Sequence, residues 1–172
     1  MIAVRVAKIV LVAALALHAS MVAFGNITDY GTNFSFVQHV LSMDTIFPHS
    51  RIGYRAITNP ALHHLAYALI IAAETLTAVL CWIGAWRLFA QLRSGVAAFN
   101  RAKAFAIAGL LMGLLVWQVG FMTIAGEWFG MWMSQTWNGL PSAFRLVMIF
   151  LGVLIFVTLP DGELDLQPAL RP

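Results

Sequence analysis

This sequence predicts an all-α integral membrane protein: a four-helix bundle with an amphipathic helix in its first outer loop and a tryptophan-rich outer segment before its last helix. Three observations carry that prediction. Of 172 residues, 61% are hydrophobic and only 10% charged, where a soluble domain carries about a quarter charged residues. Four apolar stretches reach the ~20 residues needed to cross a bilayer. The basic residues sit at the ends of those stretches, where they orient a membrane protein. The formal charge of +3 therefore reads as topology, and no basic patch suggests nucleic acid as a partner. The only cysteine, Cys81, lies inside an apolar run, so this chain alone builds neither a disulfide nor a thiolate metal site.

Taken in order as one membrane domain, 1–172, the predicted spans are 6–25, 61–86, 104–126 and 142–159. The first follows Arg5 and Lys8 and ends near Gly25; a cleaved signal peptide competes with it, because a basic start before a short apolar run looks similar. Outer segment 26–60 has turn residues Asn26 and Gly31 early and Pro48, Asn59 and Pro60 late. Inside it Phe36, Val37, Val40, Leu41 and Phe47 recur at helical spacing opposite Ser35, Gln38, His39 and Ser42, the pattern of an interfacial helix.

The second span ends at Trp82, Trp86 and Arg87, side chains that favour the headgroup level. The inner connection, 87–103, holds Arg87, Arg93, Arg101 and Lys103 and no acid. The third span contains Gly109 and Gly113, a small-xxx-small spacing that lets backbones approach, either within the chain or between copies of it. Outer segment 127–141 crowds Trp128, Trp132 and Trp137 before an Asn138-Gly139 turn. Ser142 is the expected N-cap of the last span, and an acidic tail, 160–172, with Asp161, Glu163 and Asp165, is expected to fray. The Lys and Arg bias puts both termini in the cytoplasm.

The residue that organises this reading is Glu74, in the middle of the second span. A carboxyl group at that depth costs roughly 2.5–3.5 kcal/mol on insertion scales unless it is neutral or partnered. His63, Tyr67, Glu74, Thr77 and Cys81 fall on one stripe of that helix. Such a stripe should face the other helices, as a hydrogen-bonded seam or as a proton, ion or cofactor path. By depth, His18 and Gln118 are the first candidates to contact Glu74. Haem ligation by His18 with His63 or His64 is disfavoured because His18 should lie about two turns deep and the others near the surface. A metal site from His39, His49, His63 and His64 lacks any diagnostic spacing; no cofactor is expected. No phosphate-binding glycine loop, nucleophile elbow or paired carboxylates are present, so the chain reads as a non-enzyme.

The runs NITDYGTNFSFVQHVLSMDTIFP (Asn26 to Pro48), FNRAKAFAIAGL (Phe99 to Leu110) and GEWFGMWMSQTWNG followed by AFR (Gly126 to Arg145), with the acid at Glu74, resemble a bacterial family of predicted small integral membrane proteins, a domain of unknown function. The resemblance covers nearly the whole chain. It implies a four-helix inner-membrane protein and supplies no catalytic residues. By matching motif it points to Asp29, His39, Asp44, Glu74, Glu127, Trp128 and Arg145 as positions of common use. Most are on the outer side, where the two outer segments, Trp132 included, are expected to pack as a cap with Glu127 paired to Arg145.

Three functions follow as expectations. The first is a non-enzymatic accessory or assembly subunit of a larger membrane complex, binding other subunits through the cap or itself through Gly109 and Gly113. The second is a small proton or cation transporter or channel using the Glu74 stripe. The third is a haem- or quinone-linked redox protein.

Overall fold

The computed structural model describes residues 2–162. Helix α1 covers Ile2–Thr28, α2 Tyr30–Ser42, α3 Pro60–Ala90, α4 Val96–Ala102, α5 Ala104–Leu115 and α6 Leu140–Thr158. Helix α5 continues into a π-helical stretch, Val116–Trp128. Four helical rods, Ile2–Thr28, Pro60–Ala90, Val96–Trp128 and Leu140–Thr158, are long and apolar enough to span a bilayer. With four spans, both termini lie at one end of the bundle, and α2 with the segment before α6 caps the other.

Local chemistry explains where the rods start. Asn59 accepts a hydrogen bond from the Ala61 amide (2.9 Å) and Pro60 occupies the first turn of α3, where a missing N–H costs nothing. At α6 the Asn138 side chain accepts from the Leu140 amide (3.1 Å). The last span thus begins two residues before Ser142; Ser142 instead accepts a hydrogen bond from Arg145 (3.0 Å).

The half of the bundle nearest the termini is a close-packed apolar core from all four rods, including Val12, Ala16, Cys81, Leu88, Ala106, Leu110, Phe150 and Val157. Gly84 lies against Ala106, Gly109 against Cys81, and Gly113 against the Phe150 ring, each too closely to admit a Cβ. The small-residue spacing of the third rod is therefore used inside the chain, to seat it on α3 and α6.

At the termini end three of the basic residues that read as topology signals, Arg5, Lys8 and Lys103, are buried, while Arg87, Arg93 and Arg101 are exposed. Arg5 and Lys8 are 1% and 0% exposed. Lys8 and Lys103 both pair with Asp161 Oδ2, at 2.9 and 2.5 Å, and both donate to the Leu159 carbonyl at the end of α6, at 2.7 and 2.8 Å. That carbonyl lies at the negative end of the helix dipole, where cations are favoured. Arg5 donates to the Leu92 and Ser94 carbonyls (3.0 and 2.6 Å) and lies over the Phe99 ring. Asp161 is 7% exposed, so the expectation of a frayed acidic tail is corrected at this residue: two ammonium groups hold it. Glu163 and Asp165 lie outside the described residues.

Burial acts to raise the Asp161 carboxyl, but the hydrogen bonds from Lys103 and Lys8 overcome it and hold the group below its ordinary range. Its folded-state value is thus below its unfolded one. The stabilisation is complete above about pH 4 and lost as pH falls through the lowered value. Asp161→Asn, which strands two buried cations, is expected to cost about 3–5 kcal/mol at pH 7. Unfolding in detergent should show no change from this group between about pH 7 and 5, and variant and wild type converging only below about pH 4.

Candidate functional site

The polar stripe of α3 faces inward: His63, Tyr67, Glu74, Thr77 and Cys81 are all buried. Glu74, 3% exposed, accepts a hydrogen bond through Oε2 from Asn26 Nδ2 at 2.7 Å. The Asn26 carbonyl accepts one from the Tyr67 hydroxyl at 3.0 Å. The partner of Glu74 thus comes from the first span, but it is neither His18 nor Gln118, both of which are exposed on the outside of the bundle.

Both corrections have a helical cause. Helix α1 does not stop near Gly25 but runs to Thr28. Its buried row Val12, Leu15, Ala16, Ala19 and Ala23 is therefore extended by Asn26, three residues on, while His18 lies off that row. In the third rod the backbone switches to i→i+5 bonding, as in Phe129 N–H to the Ile124 carbonyl (3.0 Å). The buried row Ala106, Gly109, Leu110 and Gly113 is continued by Trp117, four residues on, while Gln118 falls on the opposite side of the rod and is exposed.

Glu74 borders a cavity of about 400 Å³ in the cap half of the bundle. Asn26 comes from α1, Asn33, Phe36 and Val37 from α2, Tyr67 and Ile70 from α3, Trp117 and Phe121 from the π-helical stretch, and Asn138, Ser142 and Leu146 from the start of α6. The Trp117 indole N–H is buried and has no hydrogen-bond partner among the described residues, and Glu74 Oε1 accepts no hydrogen bond from them. The side chains that carry this orphan donor and this free acceptor, Trp117 and Glu74, both line the chamber. Toward the termini it is closed by the layer where Gly84, Gly109 and Gly113 meet their neighbours. π-Helical backbone is rare and concentrates at functional sites; here it lines the cavity.

Helix α2 roofs the chamber. Phe34 stacks on His64 with ring centroids 4.1 Å apart, and the Tyr30 hydroxyl bonds His64 Nδ1 at 2.8 Å. His63 Nε2 donates to the Ile57 carbonyl at 2.6 Å. His18 is on the outside of the bundle, and the rings of His63 and His64 are engaged with Ile57, Tyr30 and Phe34. His39, His49, His63 and His64 do not gather: among the described residues no three His, Cys, Asp or Glu groups are placed to hold a metal.

The two outer segments pack on each other through Val37, Val40, Leu41, Met43, Phe129 and Met131. His39 stacks on Trp137 (4.4 Å) and bonds Asp44 at 2.7 Å; Thr45 donates to Ser134 at 2.9 Å. Phe47 has left the amphipathic helix, which ends at Ser42, and meets the Trp132 edge at 5.7 Å. Arg55, not Arg145, serves the second segment: it donates to the Trp128 carbonyl (3.2 Å) and lies over the Trp128 ring. The expected Glu127–Arg145 pair is not formed; both residues are exposed and Arg145 bonds Ser142 instead. Asp29 is exposed at the α1–α2 joint and caps nothing with its side chain.

Asn26, Asn33, Trp117 and Asn138 are the chamber residues that the sequence reading passed over. Asn26 could have been found by extending the buried row of α1, and Trp117 by extending the row Ala106, Gly109 and Gly113 of the third rod one turn further.

Asn26→Leu leaves the Glu74 carboxyl without its donor. The cost is expected to be about 1–3 kcal/mol, above the ~0.6 typical of polar pairs between membrane helices, because Glu74 has so little exposure. Asn26→Leu with Glu74→Leu should recover most of it, since removing both partners removes the unmet demand. Unfolding of the single and double variants in detergent measures both.

No curated protein and no solved structure matches the chain. The family model described as "predicted small integral membrane protein (DUF2165)" matches residues 4–160, and the chain belongs to that family of integral membrane proteins.

Proposed function

We propose that the protein is a non-enzymatic binding subunit of the membrane, which takes a small hydrogen-bonding molecule into the cap-end chamber and holds it between Glu74 and Trp117. The observation that carries this reading is that Glu74, with a free carboxyl oxygen, and Trp117, with an orphan indole N–H, line one cavity. Concave sites lined mainly by apolar side chains, with a few polar groups among them, are the usual form of ligand sites. The Lys and Arg bias supports a bacterial inner-membrane setting with both termini cytoplasmic, so that the chamber lies toward the outer face.

Transport through the bundle is the weaker reading. A proton or cation leaving Glu74 toward the termini meets the close-packed glycine layer and an apolar core beneath it. A docking role in a larger assembly is compatible with binding, and the exposed aromatics Phe47, Tyr54, Trp128 and Trp132 at the cap favour it, since aromatic and Arg side chains are enriched at interface anchors.

Native mass spectrometry of the chain released from its own membrane in lipid nanodiscs tests the reading. The wild type is expected to carry a noncovalent adduct whose occupancy falls at least about tenfold, roughly 1.4 kcal/mol, in Glu74→Ala and in Trp117→Phe. An adduct unchanged in both variants, or none in the wild type, overturns it.

A further inference from the structure

Beside the chamber, between α2, α3 and the π-helical stretch, lies a second cavity of about 310 Å³. Phe36, Val37, Ile70 and Phe121 line both, so the two cavities adjoin at these side chains. Their chemistry differs: no charged or amide side chain lines the second cavity. Leu69 and Ile124 at its edge are 61% and 48% exposed, and on a spanning helix such exposure faces lipid. Gly120 also lines it, and a side chain there would meet nothing within 4 Å. The groove is thus open to the hydrocarbon layer and unfilled where a larger residue would fill it.

Resting on the chamber reading above, we propose that the two cavities form one site for a single-chain amphiphile with an uncharged hydroxylated head. The head occupies the chamber and the chain runs past Phe36 and Phe121 into the lateral groove, with entry from the lipid. The head chemistry follows from the groups it must satisfy. Trp117 N–H can only donate, and Glu74 Oε1 is a free acceptor when the carboxyl is ionised. An ammonium head has nothing to accept from Trp117, and an anionic head would meet the Glu74 carboxyl with no lysine, arginine or histidine lining the chamber to offset it. A hydroxyl donates to one and accepts from the other. The chain chemistry follows from continuity with an apolar groove that opens to lipid and has no polar group to serve.

The test uses a photoreactive monolauroylglycerol, carrying a diazirine on its chain, with the full-length protein in nanodiscs. In the wild type, labelling should map to residues around Gly120 and be displaced by excess unlabelled monolauroylglycerol but not by glycerol. Gly120→Leu, whose Cβ meets no neighbour within 4 Å and whose side chain enters the groove, should lower saturable labelling at least tenfold while leaving the thermal midpoint in place; Trp117→Phe should weaken competition about tenfold. Ala73→Leu, on another wall of the groove, serves if Gly120→Leu does not accumulate. Undiminished labelling in the groove-filled variant, or labelling that excess probe does not displace, overturns the proposal. If the wild type ignores the probe yet keeps its Glu74-dependent adduct, the amphiphile inference falls and the chamber reading stands. If that adduct is also absent, both fall.

Discussion

A polar atom inside the hydrocarbon layer has no water to turn to, so the protein itself must answer each one. Glu74 is the severest case here, and the 2.7 Å bond from Asn26 answers half of it. That bond ties the cap-side end of α1 to the middle of α3, and the Tyr67 hydroxyl on the Asn26 backbone repeats the tie two turns away on α3. With the two helices held face to face, the closely packed layer of glycines and alanines below can form and the space above stays open. The division of the bundle into a solid half and a hollow half therefore begins at one carboxyl group.

The hollow half depends on an unusual stretch of backbone. Val116–Trp128 gives up α-helical geometry, and it lines both the polar chamber and the apolar groove through Phe121. A π-helix has poorer packing and is seldom sustained, so its presence over several turns points to a use that offsets the loss. Here the gain is room beside Glu74, and a Trp whose N–H is not consumed by the fold.

The four spans were legible because hydropathy and length suffice to find them, and the inward stripe on α3 was legible from its three- and four-residue spacing. Other features depended on information that periodicity does not carry. Asn26 read as a turn residue because Asn favours turns, although the row of buried small residues leading to it says otherwise. Lys8 and Lys103, which in sequence read only as orientation signals, form a buried cluster with Asp161. A charge at a span end looks the same in sequence whether it is solvated or enclosed; the long-range partner decides.

That cluster also sets a constraint on biogenesis. Lys8 and Asp161 are separated by 153 positions, so at ribosomal speeds of ~5–20 residues per second the lysine waits on the order of ten to thirty seconds for its acid to emerge. Throughout that interval its ammonium group must remain hydrated or among lipid phosphates, at the membrane surface. Insertion of the spans and sealing of the bundle are thus separate events in time, and the nascent protein stays unlocked at one end until translation has passed the last span.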